Sequence, residues 1–289
     1  GIGSTENQNL AADVLKFSIL ENVSNNIELE VCKMHDTALW KEYKENDLVA
    51  QRTPFSFQRF LVAKEVCSNN YDYGIYIDSD MLVLSDIAEL IKHIESKVSD
   101  IYISKVEDFW NRRRQSSVML MTFDGASKLS AQYDCYLSEK ITYDELIYLK
   151  FINDIGDIPS KWNSLEYLYS DTCLIHWTDM DTQPWLYSRN PNSGIWLSYL
   201  YKYISLTGFS RLYDEVENQL VRPSLLDLIE YGPSFTSISN LGLVNDILFV
   251  PKHRFRRIKS DRVRKVLSPI LNLMLMLQFR LKNGQVNVR

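Results

Sequence analysis

Only four cysteines occur in the chain, Cys32, Cys67, Cys135 and Cys173, and no two of them form a C-x-x-C pair. That spacing excludes the usual zinc and dithiol-redox motifs. Their apolar surroundings read as reduced core thiols of a cytosolic protein, not as disulfides. No apolar stretch is long enough to span a bilayer, and no signal peptide is recognisable. No internal repeat or low-complexity linker interrupts the 289 residues, a length that suits one large α/β domain or one domain with an appendage. Gly1-Ile2-Gly3 reads as the end of a strand.

Acids are also scarce in one place. Residues 252–289 contain 11 Lys and Arg but one acid, Asp261, a local charge of +10, so the other 251 residues carry −15 of the overall −5. An acidic body with a basic tail calls for an anionic partner. The basic cluster from Arg254 to Lys265 precedes an apolar run at 266–281, interrupted by Asn272 and Gln278. This pattern suits a helix lying on an anionic membrane surface. A nucleic-acid patch fits less well, because Phe255 and Phe279 are the only aromatic residues there. A helix docked on the chain's own core or on a second subunit is the remaining alternative.

Along the body, apolar periodicity predicts a helix over 10–20, a strand over 27–31 and a helix from Phe55 to about Cys67. Strands follow at 75–77, 101–103, 117–121 and 174–176. Helices are predicted at 87–91, capped by Ser85-Asp86, and over 126–150. A turn anchored by Trp162 is expected at 158–163. Strands alternating with helices predict an α/β fold with a mainly parallel sheet.

The most informative segment is Ile75-Tyr76-Ile77-Asp78-Ser79-Asp80. A buried-strand pattern ends in two acids one residue apart, at the rim where open α/β sheets bind ligands. Two carboxylates so close repel one another unless a cation lies between them. Oxygen ligands suit Mg²⁺ or Mn²⁺, which keep positions open for substrate phosphates. An isolated Asp-x-Asp is more often a turn or cap, but here apolar runs flank it on both sides. Ser79 is small enough to let the backbone approach a ligand.

Several segments together resemble glycosyltransferase family 8, the retaining enzymes of GT-A fold, over residues 1 to about 185. Ile75 to Asp80 resembles that family's metal-binding Asp-x-Asp strand. Phe55-Ser56-x-x-Arg59-Phe60 resembles the preceding helix, whose basic residue helps hold the nucleotide sugar. Asp144-Glu145 with the distal Asn163 resembles the family's Asp-Gln and Asn pattern. Ile175-His176-Trp177-Thr178 with Pro184-Trp185 resembles the segment whose His is the third metal ligand. Gly3, Thr5 and Asn7 fall where the family's first strand and loop touch the uridine. The chain also departs from the pattern. Asp179 and Gln183 stand where that last segment has Gly and Lys, with one residue inserted, and Gln115-Ser116-Ser117 stands for Asn-x-Gly in the middle strand.

The resemblance implies a metal-dependent retaining hexosyltransferase using a UDP-sugar. Asp78, Asp80 and His176 would hold Mn²⁺ or Mg²⁺. Gly3, Thr5, Asn7, Arg59, Asp78, Ser79, Asp80 and Gln183 would bind the donor, and Glu145 and Asp144 would be the catalytic carboxylates. The acceptor would be a saccharide on a membrane lipid or cell-envelope glycan, and the protein would be cytoplasmic, peripheral at the inner face of the membrane, with no nucleic-acid partner. Residues 1–190 would form the GT-A domain, 191–251 its mostly helical C-terminal part and 252–289 the basic amphipathic tail. Two rivals stay open: a HAD-type phosphatase with Asp78 as nucleophile, and a non-catalytic scaffold that binds sugar nucleotides or glycans.

Overall fold

The β-branched and aromatic runs pair as strands in a computed structural model that describes residues 1–24, 26–50, 54–95, 99–104, 115–232, 246–250, 262–263, 265–270 and 273–274. The strands are β1 (Ile2–Gly3), β2 (Tyr73–Asp78), β3 (Met81–Val83), β4 (Ile101–Ser104), β5 (Gln115–Thr122), β6 (Ile155–Ile158), β7 (Ser164–Leu165) and β8 (Leu174–His176). Among the described residues they form a five-stranded sheet in the order β1-β2-β5-β4-β6 and a three-stranded sheet in the order β3-β8-β7. β1–β2 and β4–β6 are parallel, whereas β5 runs antiparallel to both of its neighbours. The sheet is therefore more evenly mixed than strand–helix alternation predicts.

Alternation along the strands sends side chains to two apolar layers. Tyr76, Ile101, Ile103, Met119 and Met121 pack with Phe60 and Ala63 of the Gln58–Asn69 helix and with Leu129 and Tyr133 of the Phe123–Leu137 helix. Ile77, Tyr102, Val118 and Leu120 pack with Ala12, Leu15 and Ile19 of the Asn9–Asn22 helix and with Leu90 of the Ala88–Glu95 helix. The result is an α/β fold, a mixed sheet flanked by helices. Asp86 caps the Ala88–Glu95 helix as the sequence suggests, its Oδ1 accepting from the Ala88 N–H at 2.9 Å.

Two expected elements differ. No strand forms over 27–31. Ile27, Leu29 and Val31 do pack on the core, which explains their alternation. Their backbone has little to pair with, because β1 is two residues long and offers one bridge, Ile2 to Lys33. The helix expected over 126–150 is two helices, Phe123–Leu137 and Tyr143–Ile147. Glu139, with φ of 56°, takes the left-handed conformation that ends the first. The cysteines are free, with Cys173 buried and the other three half-buried.

The chain divides into two compact units, Gly1–His176 and Trp177–Arg289. The second contains the helices Ser193–Thr207, Ser210–Glu217 and Asp227–Tyr231. Trp185 packs against Trp177 and Trp196 with ring centroids 6.3 and 5.4 Å away. Arg222 is buried, donating to the Pro184 carbonyl at 2.9 Å and facing Asp246 at 3.6 Å. Most of the basic tail at 252–289 lies outside the described residues. No described helix is long and apolar enough to cross a membrane.

Candidate metal centre

Strand pairing brings the two acids and the histidine together. β2 pairs with β1 as far as Gly3 opposite Asp78. The Ser79 N–H then donates to the Gly3 carbonyl at 2.8 Å, fixing the turn that carries Asp80. β3 follows at once and runs antiparallel to β8, with Met81 opposite His176. Asp80, one residue before Met81, therefore stands beside the imidazole, its Oδ1 3.2 Å from His176 Nε2. Asp78, Asp80 and His176 each offer a ligand atom, all within 4.8 Å of one another. Two carboxylates and an imidazole suit Mn²⁺ or Mg²⁺, so the residues fit the cation the sequence calls for. The other imidazole nitrogen, Nδ1, lies 2.8 Å from Asn163 Oδ1.

Asp78 is held by Tyr76, with Arg59 near enough to act on its charge. The Tyr76 hydroxyl donates to its Oδ1 at 2.5 Å. Arg59, at the start of the Gln58–Asn69 helix, lies over the Tyr76 ring at 5.3 Å and donates to Ser116 Oγ. Its Nε is buried without a hydrogen-bond partner among the described residues. Gly3 is glycine because of Tyr76: a Cβ there would lie 2.0 Å from the tyrosine oxygen. The loop after β1 is pinned by Gln58, which accepts from the Ser4 N–H at 2.8 Å and donates to the Ser4 carbonyl at 2.9 Å. Ser4 Oγ also meets His35 Nδ1 at 2.6 Å. His35 has its pKa lowered by burial, against the pull of Asp36. Sequence reading missed Tyr76, Gln58 and His35. Tyr76 hides in an apolar strand, and the other two signal nothing until the loop is seen folded over them.

The electrostatics are those of a site short of positive charge. Burial raises the Asp78 pKa to about 6; Arg59 and His176 oppose that, and Asp80 adds to it. Burial lowers the His176 pKa, but Asp80 and Asp78 outweigh it and the net shift is upward. Divalent cations need the carboxylate form, so protons compete with metal at Asp78. The sign follows directly: affinity falls as the pH drops through about 6, where Asp78 takes up a proton, and because His176 must be neutral to ligate, its raised pKa makes the fall begin at higher pH. Mn²⁺ titrations by calorimetry from pH 5 to 8 should show this fall. An affinity independent of pH across that window would mean that Asp78 is not a ligand.

The remaining expected residues lie as follows. Thr5 precedes the one-turn helix Glu6–Gln8, and its hydroxyl contacts Gln8 Oε1 at 3.4 Å. Asn7 is exposed on that turn. Gln183 is in the second unit, buried, donating to the Trp177 carbonyl at 3.0 Å. Asp144 and Glu145 open the short Tyr143–Ile147 helix. The Glu145 carboxylate closes a capping box, accepting from the Thr142 N–H at 2.9 Å and the Thr142 hydroxyl at 2.8 Å. Those bonds lower its pKa. The structure thus joins Asp78, Asp80, His176 and Arg59 around one point. No hydrogen bond or ion pair connects Asp144 or Glu145 to that group among the described residues.

No protein-family model matches the chain, and no curated protein is similar to it. Among solved structures, the chain is similar to the bifunctional glycosyltransferase WbbM in its apo form, with 13% identity over 74% of this chain and 50% of that one, and a TM-score of 0.49. It thus spans half the length of WbbM. It is similar to the galactosyltransferase LgtC in complex with donor and acceptor sugar analogues, with 12% identity over 70% of this chain and 94% of that one, and a TM-score of 0.49. It is also similar to the apo glycosyltransferase GlyE of Streptococcus pneumoniae TIGR4, with 13% identity, coverage of 71% and 62%, and a TM-score of 0.48. Each of these three solved structures is a glycosyltransferase.

Proposed function

We propose that the protein is a metal-dependent retaining glycosyltransferase that moves a hexose from a UDP-sugar to a saccharide acceptor. The observation that carries the reading is the convergence of Asp78, Asp80 and His176 within 4.8 Å at the end of a sheet strand, beside a buried Arg59. Asp78, Asp80 and His176 would hold Mn²⁺ or Mg²⁺, which supplies charge stabilisation to a leaving diphosphate. Arg59 adds a fixed positive charge beside Asp78. Gln58 and Gly3 keep the loop after β1 close to this charge, where Thr5 and Asn7 would meet the nucleoside and Ser79 the phosphates. In this reading the catalytic domain covers residues 1–190, followed by the helical part at 191–251. UDP release from a panel of UDP-sugars with Mn²⁺ present tests it; no release with any donor would overturn it.

Asp144 and Glu145 are the carboxylates proposed to steady the sugar as it gains positive character. Glu145 already serves as a helix cap, so its charge must be tested apart from its bonding. Glu145→Gln keeps a capping acceptor and removes the charge. Turnover should fall by on the order of a hundredfold with UDP affinity nearly intact, the pattern of a group acting on the transition state. Normal turnover would reduce Glu145 to its cap.

The tail is proposed to hold the enzyme at an anionic membrane surface, near an acceptor borne on lipid or envelope glycan, at the cytoplasmic face. What supports this is the charge of +10 at 252–289 and an exposed stripe on its described helical residues. Val266 and Ile270, four apart in the helical residues 265–270 and so on one face, are 64 and 52% exposed, and Val263 and Leu273 are 45 and 51% exposed. Ser268 on another face is buried and donates to the Phe249 carbonyl at 2.9 Å, so the helix is anchored without covering the stripe. The chain should sediment with anionic liposomes at low salt, and Val266→Glu with Ile270→Glu should abolish this while sparing hydrolysis of the donor. Equal sedimentation of the double variant would refute the membrane role of the stripe.

A further inference from the structure

We propose that the adjacent serines Ser116 and Ser117 hold the two halves of the donor site in register, Ser117 by way of Asn163 and His176, Ser116 by way of Arg59. The proposal rests on the metal-centre reading and assigns to it positioning residues that sequence comparison marks only as a departure. The backbone gives these serines an unusual place. Along β5, Met119 stands opposite Ile103 of β4, but the next partner pair is Gln115 with Ser104. On the other side, pairing with β2 ends at Val118 opposite Ile77. Among the described residues Ser116 and Ser117 therefore fall in an irregularity with no strand partner on either side, at the end of the sheet where Asp78 emerges. Irregularities such as bulges next to sites re-aim side chains, and here the two hydroxyls go to different partners.

Ser117 Oγ accepts from Asn163 Nδ2 at 3.2 Å, with Ser117 buried and Asn163 fully so. The amide nitrogen being committed to Ser117, Asn163 turns its oxygen to His176 Nδ1 at 2.8 Å. Nδ1 then carries the proton, and the face at Nε2 is turned to Asp80 Oδ1, 3.2 Å away. An imidazole so held presents Nε2 to a cation, the usual way an outer partner orients a histidine ligand. Ser116 takes the Arg59 guanidinium on the other arm while the Tyr76 ring supports it at 5.3 Å. One dipeptide thus fixes a histidine that would face the cation and an arginine that would face the diphosphate.

The test uses the full chain, with Mn²⁺ and then UDP titrated by calorimetry, and with the His176 ring nitrogens followed by ¹⁵N NMR. Asn163→Leu should weaken Mn²⁺ binding by about 10- to 100-fold, the range seen when an outer partner of a ligating histidine is lost, and should abolish the Nδ1–H signature. Asn163→Asp retains an acceptor for Nδ1 and should restore Mn²⁺ affinity to within a few-fold. Ser116→Ala should leave Mn²⁺ affinity unchanged but weaken UDP, at saturating Mn²⁺, by roughly tenfold, as expected for a lost bond to a charged group. Ser117→Ala, a smaller change, should move the tautomer populations if Asn163→Leu does not fold. A folded Asn163→Leu with wild-type Mn²⁺ affinity and tautomer would overturn the proposal, as would unaltered UDP binding in Ser116→Ala. If the wild type itself binds no Mn²⁺, the metal-centre reading fails, while loss of the Nδ1–H signature in Asn163→Leu would still support the positioning role.

Discussion

Asparagine in place of Asp80 is expected to abolish divalent-cation binding and, with it, binding of UDP. Asp80 contributes one of three ligand atoms gathered within 4.8 Å, and its carboxylate is the group that faces His176 Nε2. The amide has nearly the same shape but carries no charge, so the fold should survive while the cation loses a ligand and half of its carboxylate partners. Loss of an outer partner alone costs about 10- to 100-fold in metal affinity, so loss of a ligand should exceed about 100-fold. UDP follows because its diphosphate would otherwise approach the Asp78 carboxylate with Arg59 as its main counter-charge. Calorimetry with Mn²⁺, then UDP, then UDP in EDTA separates the steps. Tight UDP binding by the wild type in EDTA would sink the cation-bridged reading, and a thermal melt on the variant would exclude unfolding.

The second large effect concerns stability and lies in the other unit. Asp246→Ala should destabilise the protein by about 3–5 kcal/mol, the usual cost of leaving one partner of a buried ion pair alone. Asp246 accepts from the Ser224 N–H at 3.0 Å and from the Ser224 hydroxyl at 2.6 Å, while facing Arg222. Arg222 is 3% exposed, and burial lowers its pKa against the pull of Asp246 and Asp227. Removing Asp246 strips the arginine of its nearest carboxylate and orphans two donors of Ser224. Denaturant unfolding compared with the wild type reads the loss. A change below about 1 kcal/mol would mean that Asp227 or water takes over the charge.

How much could be read from the chain depended on how local each signal was. Asp78 and Asp80 were legible because the strand that exposes them and the acids themselves are contiguous. His176 gained its meaning from Pro184 and Trp185, eight and nine positions downstream, and the pairing of Met81 with His176 gives the physical reason. Arg59 was found through the Phe-Ser-x-x-Arg pattern, but its seat on Tyr76 and Ser116 joins residues 17 and 57 positions apart and leaves no local trace. Alternation at 27–31 spoke truly about burial and wrongly about pairing, since β1 offers its other edge a single bridge, Ile2 to Lys33. Glu145 illustrates the opposite limit. A Thr-x-x-Glu pattern was present at Thr142 all along and states a capping role that the family resemblance overshadowed.

Gly3 and Tyr76, so far separate details of one strand pair, form a single inherited unit. A Cβ at position 3 would meet not only the hydroxyl at 2.0 Å but the ring carbons at 2.5 and 2.7 Å, so converting the tyrosine to phenylalanine would not make room. Any lineage that keeps an aromatic ring at position 76 must keep glycine at position 3, and one that gives up the glycine must first shrink residue 76. Among descendants of this chain the two positions should therefore covary, and the order of substitution should be fixed: the ring goes before the glycine.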